Sequence, residues 1–90
     1  MEINQYQIIT VNLDPTTGSE IKKTRPCLVI SPIEMNRQLS TIVTAPITST
    51  KKNYPTRVRI SVNGRVSRIA LDQILTIDKS RIVKLGIIIS

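Results

Sequence analysis

Hydrophobic and polar residues alternate along much of this chain, which is the pattern of strands with one buried face. The clearest alternation spans residues 57–62, where valines and an isoleucine occupy one face and the other carries Arg57 and Arg59. Asn63-Gly64 follows, a pair that favours the type I′ turn of a hairpin, and residues 65–71 return as the second strand. The pattern therefore predicts a two-stranded ribbon with arginines along one face.

The same reasoning predicts further strands joined by turns and two short helical turns. Pro46 is expected to interrupt one strand, and Asp78 to cap the second helical turn. The other predicted strands span residues 5–13, 27–30, 41–47 and 83–89, the helical turns span residues 32–36 and 78–81, and residues 72–78 form a short turning segment between strands.

Composition supports a mainly β protein. More than a third of the residues are Ile, Val or Thr, whose branched side chains favour strands over helices. There is no Phe and no Trp, so the core must be aliphatic. Ninety residues form one domain, 1–90, and are enough for one modest core.

Charge is distributed unevenly along the chain. Cations and carboxylates balance in residues 1–50, so the whole net charge of +7 lies in residues 51–90. A one-sided basic surface indicates a polyanion or an acidic protein as partner, although such a surface can also serve only to keep a protein in solution.

Cys27, which lies in an apolar run, is the single cysteine, so it cannot form an intramolecular disulfide and is interpreted as a small buried hydrophobic residue. No basic-then-apolar leader opens the chain and no apolar stretch is long enough to span a membrane. A cytoplasmic protein without membrane contact is expected.

Candidate chemistry concentrates in residues 14–31. A turn beginning at Asp14-Pro15 leads into a polar loop, and Pro26 then favours extended backbone before an apolar strand. This places a hydroxyl (Ser19), a carboxylate (Glu20) and a guanidinium (Arg25) on a loop anchored by strands, where binding and catalytic residues are often held.

The chain has no histidine, no phosphate-cradling glycine motif and no metal-ligand spacing, so no cofactor or metal is expected. The remaining groups suit attack of an RNA 2′-hydroxyl on its adjacent phosphate, because the substrate itself supplies the nucleophile. Glu20 could remove the proton, Arg25 could hold the phosphate and Thr48 could donate to a phosphoryl oxygen. Taken singly, each residue also has a simpler interpretation: Glu20 as a solvated loop acid, Arg25 as a surface cation and Thr48 as a turn residue.

Six stretches in register resemble the MazF/PemK (Kid) family of toxin endoribonucleases. They are VNLDPTTGSE (11–20), TRPCLVIS (24–31), NR (36–37), TIVTAPITST (41–50), YPTRV (54–58) and LDQILTIDKSR (71–81). The resemblance covers almost the whole chain. It implies a dimeric, SH3-like, partly open β-barrel (CcdB/PemK-like) that cleaves single-stranded mRNA sequence-specifically without a metal, leaving a cyclic phosphate and inhibiting growth. It also implies a MazE-like antitoxin whose acidic tail blocks the site.

The resemblance assigns the family's catalytic arginine to Arg25 and its catalytic threonine to Thr48. Its glutamate falls on Glu20, while Ser19 and Asp72 stand where one branch of the family has a histidine and a catalytic aspartate. Arg25 and Thr48 rank above Glu20, and Asp72 ranks last. Candidate RNA-binding residues lie on the loops and the arginine face: Ser19, Lys22, Lys23, Ser49, Thr50, Lys51, Lys52, Asn53, Arg57 and Arg59.

Two departures from the family bear on function. Tyr6-Gln7 replaces the usual Gly-Asp, which is expected to remove a polar contact from the first strand. The chain ends at Ser90, where the family continues into a C-terminal helix, so apolar surface is expected around residues 87–89. Two alternatives therefore remain: a non-catalytic module that binds RNA or an antitoxin, and a gyrase-poisoning toxin on the related barrel.

Overall fold

A computed structural model describes residues 2–12, 24–48, 57–62 and 64–89, with Arg57 and Val62 described by their backbone alone. These described ranges contain seven antiparallel strands and one helix, with 3₁₀ turns over Leu71–Gln73 and Lys79–Arg81. The strands and helix are β1 (Gln7–Asn12), β2 (Thr24–Val29), α1 (Ile33–Gln38), β3 (Thr41–Thr48), β4 (Arg57–Val62), β5 (Arg65–Ala70), β6 (Leu75–Asp78) and β7 (Ile82–Ile88). The expectation of a mainly β fold is confirmed.

The strands form one bent sheet in the order β4-β5-β3-β2-β1-β7, and β6 pairs with β3 beside β5. Within the described ranges, β4 and β7 lie at the two ends of this order and do not pair with each other, so the barrel is partly open. This confirms the predicted architecture. In the part of the chain that the structure describes, no helix is long and apolar enough to cross a membrane.

Two predictions about β3 and its neighbours are wrong. Pro46 does not interrupt β3, which runs from Thr41 to Thr48 with Pro46 paired to Cys27 of β2. On its other edge β3 pairs first with β6 and then with β5, and Pro46 lies in the gap between these pairings, where a missing N–H is tolerated. The segment predicted to turn, residues 72–78, contains β6, whose four residues are too few for alternation to identify a strand.

The core is aliphatic, as predicted, and lies on both faces of the sheet. Ile9 and Val11 of β1 point into one cluster, while the intervening side chains face the other way. The first cluster is formed by Ile3, Ile9, Val11, Cys27, Val29, Ile42 and Ile77. The second is formed by Leu28, Ala45, Ile47 and Ile69, with Ile8, Ile30, Ile60 and Ile89 packed against it. Residues 27–29 of β2 and residues 44–47 of β3 are therefore buried on both faces of the sheet, whereas the first three residues of β2 are exposed.

The turn before β1 contains Tyr6-Gln7, the pair that replaces the family's Gly-Asp. Tyr6 has a φ of 65°, a left-handed conformation in which glycine is favoured. The Gln7 side chain accepts a hydrogen bond from the Asn4 amide at 3.0 Å and donates one to the Gly86 carbonyl at 3.0 Å. Gln7 therefore gives the first strand polar contacts to two segments, while the loss of the contact made by the family's aspartate stays a prediction.

Strand β7 packs closely on β1 and leaves apolar side chains exposed. A Cβ at Gly86 would lie 2.6 Å from the Ile8 carbonyl oxygen, so only glycine fits this close approach. Ile87 and Ile88 are more than half exposed, as the sequence predicted, whereas Ile89 packs against the second cluster.

Candidate active site

Two strand ends bring Arg25 and Thr48 together. Strand β2 begins at Thr24 and β3 ends at Thr48, and the two strands are antiparallel with Cys27 opposite Pro46. Continuing that register by two residues places Arg25 directly opposite Thr48. Directly opposite residues share a face and have Cβ atoms about 4.5–5.5 Å apart. The register of β2 with β3, extended beyond its last pair, therefore brings together Arg25 and Thr48, the two candidates that rank first, and both line the same cleft.

An open cleft of about 370 Å³ lies at this position, lined by Arg25, Pro26, Ile47, Thr48 and Ser67. Arg25 is exposed, so its guanidinium reaches solvent and any ligand that enters the cleft. A guanidinium and two hydroxyls are hydrogen-bond donors suited to phosphoryl oxygens, and the arginine bond is strengthened by charge. The arrangement thus has hydrogen-bond donors of the kind that bind phosphate, beside an apolar wall from Pro26 and Ile47.

Ser67 is the cleft residue that the sequence analysis missed. It lies in the middle of β5, opposite Ile60 of β4, and is half-buried. Its sequence signal is weak: a single hydroxyl at a position where the alternation of the ribbon would place an apolar side chain. Only the pairing of β5 with the end of β3 brings it to Arg25 and Thr48.

Asp72, the lowest-ranked catalytic candidate, lies in the 3₁₀ turn that follows β5. It is exposed and is not one of the described residues that line the cleft. Among the other arginines, Arg59 is exposed on β4, and the backbone of Arg57 pairs with Ala70. The remaining candidates lie outside the described residues and stay predictions: Ser19, Glu20, Lys22, Lys23, Ser49, Thr50, Lys51, Lys52 and Asn53.

No three His, Cys, Asp or Glu side chains cluster as metal ligands within the described ranges. The Asp78 carboxylate accepts a hydrogen bond from the Ser80 amide at 2.9 Å, which lowers the pKa of Asp78 and caps the following 3₁₀ turn as predicted. Asp78 therefore has a structural role.

Cys27 is two residues from Arg25 but is fully buried in the first core cluster. Burial raises the pKa of its thiol to about 11, and the positive charge of Arg25 only partly opposes this shift. The thiolate is the nucleophilic form of cysteine, so at neutral pH the Cys27 side chain is inert. This confirms its interpretation as a buried hydrophobic residue.

We expect Cys27 to resist thiol reagents in the folded protein. With a pKa of about 11, only about one thiol in 10⁴ is ionised at pH 7. Because the folded state holds this proton more tightly than the unfolded chain, the thiol's contribution to stability falls as the pH rises from about 9 to about 11. Time courses of labelling with and without urea check this. Rapid labelling of the folded chain at pH 7 would contradict the burial of Cys27.

Known proteins similar to this chain include toxins and endoribonucleases. A family model described as the PemK-like, MazF-like toxin of type II toxin–antitoxin systems matches residues 4–89. The endoribonuclease toxin MazF of Escherichia coli K12 is 36% identical over 70 residues, which cover 78% of this chain and 63% of MazF. The endoribonuclease EndoA of Bacillus subtilis is 38% identical over 88 residues, covering 91% of this chain and 76% of EndoA.

A solved structure is similar along nearly the whole chain. The MazE–MazF structure from Deinococcus radiodurans (Form-II) superposes with a TM-score of 0.79 at 27% identity, covering 96% of this chain and 80% of that one. The present chain thus matches less than two thirds of the E. coli protein's length but most of the D. radiodurans fold.

Proposed function

The chain belongs to the PemK-like, MazF-like toxins of type II toxin–antitoxin systems, and from that premise we propose that it is an endoribonuclease. In this proposal it is an mRNA interferase that cleaves single-stranded RNA at specific sequences without a metal ion. The observation that carries the proposal is the cleft that Arg25 and Thr48 line from the ends of two neighbouring strands, β2 and β3.

The reaction is an internal transfer of the phosphoryl group. The 2′-oxygen of one nucleotide forms a bond to the adjacent phosphorus, and the bond from phosphorus to the 5′-oxygen of the next nucleotide breaks. One product ends in a 2′,3′-cyclic phosphate and the other begins with a 5′-hydroxyl, so no water is consumed. The proton lost by the 2′-hydroxyl needs a base, and the departing 5′-oxygen needs a proton.

Arg25 and Thr48 act on the charge that develops at phosphorus. Arg25 holds phosphoryl oxygens through the planar fork of its guanidinium and does not serve as a base. The Thr48 hydroxyl donates to one of the same oxygens. The strand ends fix the backbone of both residues before substrate arrives, and donors that are already in position stabilise a transition state with little reorganisation.

Glu20 is the proposed base. It lies in sequence only five residues before Arg25, in the segment that leads directly into β2. A carboxylate is the remaining acid–base group in a chain without histidine. Asp72 is the weaker candidate because it does not line the cleft.

The proposal includes a protein partner and a second copy of the chain. The relative from D. radiodurans is a complex of MazE with MazF. By analogy, a MazE-like antitoxin with an acidic tail would cover the basic surface of this chain, whose net charge of +7 lies in residues 51–90. The toxin would act as a homodimer in the cytoplasm, where mRNA is present, and would inhibit growth when free.

A non-catalytic RNA-binding module is the second candidate. The observation that favours it is the composition of the cleft: its described lining residues contain no carboxylate that could act as a base. Such a module would use Arg25 and Thr48 to hold a phosphate without cutting the chain. The two candidates differ in one measurable property, which is whether the bond next to a bound 2′-hydroxyl breaks.

An RNA oligonucleotide with a single 2′-deoxy nucleotide at the cleavage position tests the proposal. We expect the unmodified oligonucleotide to be cut at that bond and the deoxy version to bind but stay intact, because its nucleophile is missing. Cleavage of the deoxy oligonucleotide at the same bond would rule out attack by the 2′-hydroxyl. Binding of both oligonucleotides without cleavage of either would identify the non-catalytic module.

A further inference from the structure

A row of arginines continues from the cleft across the sheet. Thr48 of β3 lies directly opposite Arg68 of β5, and Arg68 lies directly opposite Arg59 of β4. Directly opposite residues of antiparallel strands share a face, so the row runs Arg25, Thr48, Arg68, Arg59 on one side of the sheet. The sequence analysis placed Arg59 on a basic face but did not single out Arg68, because its place in the row depends on how β3 pairs with β5.

The spacing of the row suits an extended polyanion. Neighbouring strands lie about 4.8 Å apart, so Arg68 is about 10 Å from Arg25 and Arg59 about 5 Å farther along. Arginine side chains are long enough for each guanidinium to reach part of the way to its neighbour. A single strand that crosses the sheet perpendicular to the β-strands would meet the cleft first and these two arginines next.

Arg59 and Arg68 lie directly opposite each other on adjacent strands, so two guanidinium groups can approach the same phosphate. Bonds from arginine to phosphoryl oxygens are strengthened by charge and are often bidentate.

We propose that Arg68, together with Arg59, forms a second phosphate-binding site that holds the nucleotide next to the scissile phosphate. The inference rests on the proposed endoribonuclease function and adds to it how the substrate is aligned. Arg68 is half-buried, so its side chain is more constrained than that of the exposed Arg59. A phosphate held there fixes the direction of the RNA, and therefore presents one particular bond to Arg25 and Thr48.

Arg68→Ala and Arg65→Ala form a matched pair of variants. Arg65 lies on the same strand and is exposed, but it lies three residues, about 10 Å along the strand, from Arg68, and its side chain is on the other side of the sheet from the arginine row. Both substitutions remove one positive charge. Arg68→Lys, which keeps the charge and loses the planar fork, covers the case in which the alanine variant fails to fold.

We expect Arg68→Ala to weaken binding of the uncleavable 2′-deoxy oligonucleotide about tenfold and to raise KM for cleavage more than it lowers kcat. The salt dependence of binding should become shallower by about 0.7 in the log–log slope, as for one lost phosphate contact on a single strand. Arg65→Ala should change binding by less than about twofold.

Neutral methylphosphonate links, introduced one at a time, locate the phosphate. At the position that Arg68 contacts, the neutral link should weaken binding to the wild type but cause no further loss in Arg68→Ala. Equal effects of Arg68→Ala and Arg65→Ala would overturn the inference. If Arg68→Ala loses affinity for an acidic peptide while its RNA binding is unchanged, the inference is also overturned. Arg68 and Arg59 would then belong to a binding site for a protein partner. If wild type cuts RNA normally in those experiments, the proposed function stands; if wild type neither binds nor cuts RNA, both fail.

Discussion

Replacing Arg25 with alanine is expected to reduce RNA cleavage by a factor of about 10²–10³, the usual cost of losing one preorganised donor to the transition state. Arg25 is exposed at the start of β2, so the variant should fold and unfold like the wild type. The measurement is the single-turnover rate on an RNA oligonucleotide, with circular dichroism as the check on folding.

Two further variants sharpen the test of Arg25. Arg25→Lys keeps the charge but loses the bidentate fork, so it should cut at a rate between those of the wild type and Arg25→Ala. Arg37→Ala removes an exposed arginine of α1 that is paired with Glu2, and it should cut normally. If Arg25→Ala cleaves RNA as fast as the wild type, the cleft is not the active site.

Replacing Asn36 with alanine is expected to produce the largest loss of stability, about 2–5 kcal/mol. Asn36 is buried in α1, and its side-chain amide donates to the Ile3 carbonyl at 2.9 Å and to the Ser31 carbonyl at 3.0 Å. The Ser31 hydroxyl donates to the Asn36 side-chain oxygen, and the Lys79 ammonium to the Asn36 backbone carbonyl. Alanine would leave two buried carbonyl oxygens without these partners.

Urea denaturation measures this effect, with the neighbouring Arg37→Ala as control. Arg37 is exposed and forms a surface ion pair, so its loss should change the free energy of unfolding by less than about 1 kcal/mol. A midpoint for Asn36→Ala no lower than that for Arg37→Ala would show that the buried network does not stabilise the fold.

Local patterns in the sequence predicted most of the fold. The ribbon of β4 and β5 follows from alternation and from Asn63-Gly64, and Gly64 has the positive φ, 77°, that such a turn needs. The cap at Asp78 also follows from residue type. These features succeed because each depends on residues close together in the chain.

The errors concern features that depend on distant residues. Strand β6 exists because β3 offers it an edge, and four residues carry too little pattern to show this. Pro46 fits inside β3 only because β3 changes partner beside it. Likewise, the Asn-Arg pair at 36–37 matched the family without a known role, and only the folded chain shows that Asn36 joins α1 to residues 3 and 31.

In the candidate site too, some residues were found from the sequence and others only from the folded chain. The resemblance singled out Arg25 and Thr48, and the register of β2 with β3 supplies the physical reason for their proximity. Ser67 and Arg68 reach the same region through the pairing of β5 with β3, which joins residues 20 positions apart in the chain. No local pattern encodes that pairing.

Metal-free cleavage by the wild-type chain tests the central claim most directly. A long single-stranded RNA is incubated with the purified protein in excess EDTA, and the ends of the products are identified. The proposed mechanism predicts discrete fragments that end in a 2′,3′-cyclic phosphate, with a 5′-hydroxyl on each downstream partner. Intact RNA in the presence of folded, dimeric protein would contradict it and would favour a module that binds RNA without cutting it.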